Sequence, residues 1–449
     1  MRGTILTSGN ESRLLMVFAG WGMDCNPFMA LRGRGFDVAV VYDYSSESVF
    51  YPEKIYSEIM VLAWSFGVIV ADRYIAMNPQ LPVTRRVAVN GTLYPVNDDL
   101  GIPGNIFAGT LNGLSEASLR KFNIRMCGGA EAYKRFAASA PTRNIDSLRA
   151  ELMAIASLEA AHAGWDRAYI SDADRIIPVA SQRRAWAAEG VEVVEKSGPH
   201  LPDFQMIIDE EFVNKPLVAR RFGAVAETYE EHASVQADMA RRLSQLWHQA
   251  SPRYVGDVLE VGTGAGGFTR EYLKWVQCRK LMLWDLTSID EKLPGEHRVC
   301  DGETELRRCP DDSFDAIVSA ATVQWFSSQA SFFKECSRVL RPGGLLVVST
   351  FGPENFRELG PSGYPEEKSL RRWLEDGFEI VSFESELCEM AFESPLQLLR
   401  HLKLTGVNAL RDDTEAVSRA RKVISSGLCK LTYHPVLIVG RRRVKSMNI

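Results

Sequence analysis

Residues 256–273 read GDVLEVGTGAGGFTREYL: a β-like apolar run, a loop with alternating glycines, and a helical pattern. Gly262, Gly264 and Gly266 carry no Cβ, so main-chain N–H groups in this loop can approach a ligand closely. A strand, a glycine loop and a helix in this order open an α/β unit built on a parallel sheet. The loop alone is compatible with a dinucleotide, with S-adenosylmethionine or with tight packing.

The residues on either side narrow that choice. Glu260 before the first glycine gives the pattern E-x-G-x-G-x-G, the S-adenosylmethionine form, in which the carboxylate organises the loop around the methionine amino end. The run LMLWDL (281–286) ends a second strand with Asp285, placed to accept hydrogen bonds from both ribose hydroxyls. CDGE (300–303) ends a third, where Asp301 can reach the adenine amino group. SFDAIVSAATVQW (313–325) and RVLRPGGLLVVST (338–350) follow as a fourth strand and a helix–turn–strand. That succession predicts a class I, Rossmann-like methyltransferase, whereas a nicotinamide enzyme gives the LRPGG segment no task.

More narrowly, VARRFGAVAETYEEHASVQ (218–236), AATVQWF (320–326) and HLKLTGVNAL (401–410) resemble the BioC family of malonyl-acyl-carrier-protein methyltransferases, over about residues 215–440. The resemblance implies an N-terminal helix that closes over the cofactor with Tyr229 near the methionine moiety, and Gln324 and Trp325 facing the transferred methyl group. A malonyl carboxylate is already ionised at neutral pH and needs no general base, so alignment and exclusion of water are expected to supply most of the rate.

The other half of the chain carries a different chemistry. EIMVLAW (58–64) is β-like and GVIVADRYIAM (67–77) has helical spacing, which puts Ser65 at a strand-to-helix junction. A nucleophile elbow belongs there: the sharp turn exposes the serine oxygen and needs small residues beside it. Ala63 stands where the usual G-x-S-x-G has its first glycine, while Gly67 keeps the second. YISDADRIIP (169–178) and KSGPHLP (196–202) then supply an acid and a histidine in the serine–acid–histidine order of an α/β-hydrolase. The acid commonly precedes a proline by a few residues, which favours Asp174 over Asp172; the histidine is His200. VFAGWG (17–22) offers a second oxyanion donor, so the expected backbone donors are those of Trp21 and Phe66. The Trp21 indole is also a candidate lining for an acyl channel.

FAGWG (18–22), AWSFGV (63–68), AVNGT (88–92) and LGIPGNIFAGTLNGL (100–114) resemble the BioG-type esterases of biotin synthesis, over about residues 14–205. The resemblance implies Ser65, Asp174 and His200 as nucleophile, orienting acid and general base, acting on the methyl ester of pimeloyl-acyl-carrier protein. A helical insert at 115–149 holds seven Arg or Lys against three acids. Because acyl-carrier proteins are acidic, Arg120, Lys121, Arg125, Lys134 and Arg135 are expected to form a docking lid.

Composition bounds these readings. The 449 residues suffice for two or three domains. A net charge of −5, with no zinc finger or basic arm, disfavours nucleic acid. The eight cysteines are scattered, with no C-x-x-C pair, so free thiols in a reducing cytoplasm and no metal site are expected. The apolar LLMVFAGWGM (14–23) reads as a core strand, and no run approaches the roughly 20 residues that span a bilayer. IIDEEFVNKPL (207–217) places the boundary near residue 212, giving domains at 1–212 and 213–449.

Together the halves suggest entry and exit steps of one pathway. Methylating malonyl-carrier protein hides a charge that would be costly to desolvate in an apolar channel, and the esterase removes the mask from the extended product. Two alternatives stay open: a methyltransferase–esterase pair acting on protein carboxylates or another metabolite, and a hydrolase half that only docks carrier protein.

Overall fold

In the computed structural model the chain divides into two compact units, Met1–Phe212 and Val213–Ile449. The structure describes residues 1–7, 11–33, 35–45, 49–225, 228–251, 253–360, 364–406 and 413–444. Of the BioC-like segments, residues 226, 227 and 407–410 lie outside the described residues.

The first unit holds a sheet of seven strands: β1 (Arg2–Thr7), β2 (Arg13–Phe18), β3 (Asp37–Tyr42), β4 (Glu58–Trp64), β5 (Val83–Val89), β6 (Arg167–Ser171) and β7 (Glu192–Lys196). Their order is β1-β3-β2-β4-β5-β6-β7, with β1 antiparallel to its neighbour and the rest parallel. Every residue of β2 and β4 is buried, which is why LLMVF and IMVLAW read as unbroken apolar runs. Helices α1 (Gly67–Met77), α6 (Val179–Ala188) and α7 (Phe204–Glu211) accompany the sheet. This is an α/β-hydrolase fold with a helical lid. The lid comprises α2 (Gly104–Asn112), α3 (Glu116–Met126), α4 (Ala130–Ala137) and α5 (Ile145–Ala156), all between β5 and β6. It is wider than the expected 115–149, because the GNIFAGTLN stretch is itself helical and α5 runs on past Arg149.

The second unit begins with α8 (Lys215–Val225), α9 (Tyr229–His232) and α10 (Ser234–Ala250). Its main sheet contains β8 (Tyr254–Val261), β9 (Gln277–Asp285), β10 (Glu296–Val299), β11 (Phe314–Ala320), β12 (Leu340–Phe351), β13 (Phe378–Ser385) and a late strand, Pro435–Arg442. The order is β10-β9-β8-β11-β12, then the late strand, then β13; the late strand runs antiparallel to both neighbours. Between the strands lie α11 (Gly267–Tyr272), α12 (Gly302–Leu306), α13 (Gln329–Val339) and α14 (Glu367–Glu375). A small antiparallel pair, β14 (Cys388–Ala391) with β15 (Lys430–Tyr433), sits outside the main sheet; the late strand is thus β16. The architecture is that of a class I methyltransferase, with ligands expected at the carboxyl ends of β8, β9 and β11 where strand order reverses.

One local expectation changes. LRPGG is not a turn before a strand: β12 starts at Leu340 and its pairing with β11 slips between Phe314–Leu340 and Ala316–Leu345. Gly343, at φ +80°, takes the left-handed conformation this irregularity requires. Arg341 then reaches both Asp315 and Asp257, at 2.6 and 3.0 Å. No helix among the described residues is long and apolar enough to cross a membrane.

Candidate active sites

Ser65 follows β4 directly and has φ +57°, a conformation a non-glycine residue holds only when its surroundings enforce it. Three close approaches enforce it. A Cβ on Gly67 would meet the Phe18 carbonyl oxygen at 2.4 Å, one on Gly91 the Ser65 carbonyl oxygen at 2.4 Å, and one on Gly20 the Trp64 ring at 2.9 Å. Ala63, by contrast, is a fully buried strand residue whose methyl packs in the core, so its departure from glycine leaves the turn intact.

His200 Nε2 stands 2.9 Å from Ser65 Oγ, and its Nδ1 stands 2.8 Å from Asp174 Oδ2. A carboxylate only accepts, so the ring proton belongs on Nδ1 and Nε2 is left to accept from the serine hydroxyl. Asp174 is itself fixed: Oδ1 accepts from the Ile176 and Ile177 backbone at 2.8 and 3.1 Å, and Oδ2 also accepts from Gln182 Nε2 at 2.9 Å. Asp172 instead accepts from the Gly198 backbone at 3.0 Å and is exposed. All three members of the Ser65–His200–Asp174 set are buried.

Two residues that the sequence did not single out hold the histidine loop. Asn90 Nδ2 donates to the His200 carbonyl at 2.9 Å and to Ser171 Oγ at 2.8 Å, while its Oδ1 accepts from the Ser171 backbone at 2.7 Å. The Trp64 indole donates to the same His200 carbonyl at 2.8 Å. The AVNGT motif was the only signal for the former, and nothing in its spacing stated a role.

A narrow cavity of about 40 Å³ opens beside Ser65, lined among others by Gly20, Trp21, Phe66, Phe107, Phe122, Arg125 and His200. Trp21 and Phe66 both line this cavity, and their backbone N–H groups have no protein acceptor among the described residues. The Trp21 indole Nε1 donates to the Leu148 carbonyl at 2.9 Å. Of the lid cations, Arg120, Lys121, Arg125, Lys134 and Arg135 are all exposed. Lys134 pairs with Glu131, whereas Arg125 lies over the Phe122 ring at the cavity. Arg143 and Arg149 point inward, to Glu151 and to the Leu111 and Leu114 carbonyls, and so leave the outward charge to the other five.

The second unit encloses a cavity of about 520 Å³, the size of a pocket for a drug-sized ligand. It is lined by Gly262, Gly264, Asp285, Asp301, Tyr229 and Trp325 from the expected set. A Cβ on Gly262 would meet Thr322 at 2.2 Å, and Gly264 takes φ +55°, so the loop needs its glycines to form this cradle. Asp285 Oδ2 accepts from the Gly264 backbone at 2.8 Å and Oδ1 from the Thr287 backbone and hydroxyl, both at 2.8 Å, which aims the carboxylate along the loop. Asp301 caps α12 and is held at 2.6 Å by Lys215 Nζ, a buried cation that also meets Glu303 at 2.6 Å.

Three expected residues do not line the cavity. Glu260 lies behind the loop, accepting from Thr269 Oγ1 and Tyr272 Oη at 2.7 Å each, and burial raises its carboxyl to about 7. It organises the glycine loop by tying β8 to α11. Gly266 turns back toward Leu293, where an added Cβ would come within 2.4 Å. Gln324 is drawn toward the sheet, its Nε2 donating to the Ala321 carbonyl at 2.6 Å and its Oε1 lying 3.4 Å from Thr350 Oγ1. In compensation the cavity gains Lys215 and Gln236, neither expected; the Gln236 amide oxygen is buried with no hydrogen-bond partner among the described residues. No cluster of His, Cys, Asp or Glu able to hold a metal ion occurs among the described residues.

Comparison with known proteins fits this geometry. A family model described as the pimeloyl-ACP methyl esterase BioG matches residues 3–206, and a methyltransferase-domain model matches residues 259–348. A malonyl-[acyl-carrier protein] O-methyltransferase of Bacteroides fragilis is 33% identical, the alignment covering 96% of this chain and 93% of that protein. A protein of the same name from Bacteroides thetaiotaomicron is 32% identical over 51% of this chain and 99% of its own length. The solved structure of BioG from Haemophilus influenzae is 32% identical, covering 44% of this chain and 94% of that one, with a TM-score of 0.41. The chain therefore belongs to the malonyl-[acyl-carrier protein] O-methyltransferase family, as a fusion in which a BioG-type half precedes a BioC-type half.

Proposed function

We propose that the chain is bifunctional, methylating the free carboxylate of malonyl-acyl-carrier protein and hydrolysing pimeloyl-acyl-carrier-protein methyl ester. The observation that carries the second activity is the aligned Ser65–His200–Asp174 set beside two unengaged backbone donors. Ser65 attacks the ester carbonyl as its proton passes to His200 Nε2; the Trp21 and Phe66 N–H groups receive the developing oxyanion, and His200 returns the proton to the leaving methanol. Water, activated by the same histidine, then releases the acid.

In the other half, S-adenosylmethionine supplies an electrophilic methyl group. Asp285 takes the ribose hydroxyls, Asp301 the adenine end, and the Gly262–Gly264 backbone and Tyr229 the methionine end. Trp325 and Phe222, packed edge to face at 5.4 Å, exclude water beside the acceptor. An acceptor carboxylate ionised in solution needs no base, in keeping with a cavity lined mainly by apolar groups. We place the chain in the cytoplasm, supported by its eight free cysteines.

Two results are expected. Asp285→Ala should weaken S-adenosylmethionine by about 2 to 3 kcal/mol, the loss of a charged acceptor, and calorimetry reads this directly. An unchanged affinity would remove Asp285 from the ribose site. For the lid, the double variant Arg120→Glu, Lys121→Glu should raise KM for carrier-bound ester by roughly tenfold, about 1.4 kcal/mol, and leave a small methyl ester untouched. Equal losses on both esters would instead mean that the lid had been deformed. The decisive assay is mass spectrometry of malonyl-carrier protein with S-adenosylmethionine and of methyl pimeloyl-carrier protein without it. Turnover of a free acid or a protein carboxylate in their place would shift the substrate class.

A further inference from the structure

The loop that offers the Trp21 N–H is bound along its length to the end of the lid. The Trp21 indole donates to Leu148, Thr142 donates through backbone and hydroxyl to Asp24 at 2.8 and 3.2 Å, and Arg143 Nη1 reaches the Met23 carbonyl at 3.3 Å. At the centre stands Glu151 on α5, fully buried. Its Oε2 accepts the Gly22 N–H at 3.0 Å, one residue beyond Trp21, and the Arg143 guanidinium at 2.6 Å. Its Oε1 accepts the Tyr44 N–H at 3.0 Å, and the Tyr44 hydroxyl in turn donates to the Ala19 carbonyl at 2.6 Å, at the other end of the same loop.

A buried ion pair is a poor way to gain stability, since well-packed apolar groups do as well or better; its distinctive capacity is to dictate one geometry. Here both carboxylate oxygens hold main-chain N–H groups that flank the oxyanion loop, and the lid supplies both the anion and its countercharge. We propose that Glu151, held by Arg143, is a positioning residue that aims the Trp21 N–H at the oxyanion formed on the Ser65 substrate. The lid is thereby part of the catalytic frame as well as a cover. This inference rests on the esterase reading above.

The test uses the full chain, 4-nitrophenyl butyrate, and a trifluoromethyl ketone whose carbonyl carbon bonds to Ser65 Oγ while the serine proton passes to His200, leaving an oxyanion. Glu151→Gln keeps shape but must turn its NH₂ toward one of two N–H donors. It should lower kcat at least tenfold with KM within about twofold, and weaken the ketone by the same factor as kcat/KM, as expected when a transition-state donor is displaced. Glu151→Asp keeps the charge beside Arg143 but withdraws it by one methylene, and should give a smaller loss of the same kind with near wild-type melting temperature. A folded Glu151→Asp with wild-type kcat and ketone affinity overturns the proposal, as does a loss confined to melting temperature. If wild-type hydrolysis does not depend on Ser65, the esterase reading fails and the proposal falls with it.

Discussion

Ser65→Ala is expected to lower ester hydrolysis by roughly 10⁴-fold or more while methyl transfer stays within about twofold of wild type. The first half of that expectation follows from geometry. Ser65 Oγ is the only nucleophile placed within reach of His200 Nε2 among the described residues, and alanine leaves only the oxyanion donors and binding to act. The second half follows from the division of the chain: every partner of Ser65, from Trp21 to His200, lies in Met1–Phe212, and the S-adenosylmethionine cavity is lined entirely from Val213 onward. Assaying both reactions on one preparation checks both claims. Hydrolysis surviving at more than a few per cent would take the nucleophile role from Ser65, and failure of a fluorophosphonate to label the wild-type serine would leave the first half as a docking module.

Asp174→Asn is expected to cost roughly 10⁴-fold in kcat, with Asp172→Asn close to wild type. The substitution is nearly isosteric, so the loss arises from the proton rather than from packing. An asparagine can turn its NH₂ toward His200 Nδ1, forcing the ring proton onto Nε2, where the ring can no longer accept from Ser65. The Ile176 and Ile177 N–H groups strengthen that outcome, because they hold the amide oxygen at the Oδ1 position and leave the NH₂ to face His200. The controls are kcat against pH for both variants, with melting temperature showing that each folds. A larger loss for Asp172→Asn would reverse the assignment, although the Asp172 carboxylate meets the Gly198 backbone and not His200.

How much of this was legible beforehand differs between features of the chain. Strands buried on both faces announce themselves, because a parallel sheet between helix layers demands unbroken apolar runs such as LLMVF and VLAW. Glycines forced by close approach were also legible: a Cβ on Gly67 would collide with the Phe18 carbonyl oxygen and one on Gly262 with the Thr322 side chain. Asp174, the acid favoured by the nearby proline, is the one that meets His200 Nδ1. The outer limits of the lid were not, since α2 is built from a Gly-rich stretch with weak intrinsic helix preference and depends on packing against its neighbours.

The two α/β units, the glycine loop after β8 and the serine–acid–histidine order can be read along the chain, because each is a local pattern with a local physical cause. Which polar groups face a cavity depends instead on long-range packing. Gln324 and Glu260 carry the right chemistry at the right strand ends, yet Gln324 is drawn to the Ala321 carbonyl and Glu260 to Thr269 and Tyr272, while Lys215 on α8 and Gln236 on α10 reach the cavity with no role attached to them in the sequence. Likewise Glu151 and Asn90 look like ordinary lid and loop residues until Gly22, Tyr44 and the His200 carbonyl are brought beside them. The direction of a buried side chain is set by the donors and acceptors that long-range packing leaves unsatisfied around it, and that information is spread over residues more than a hundred positions apart, as with Glu151 and Gly22.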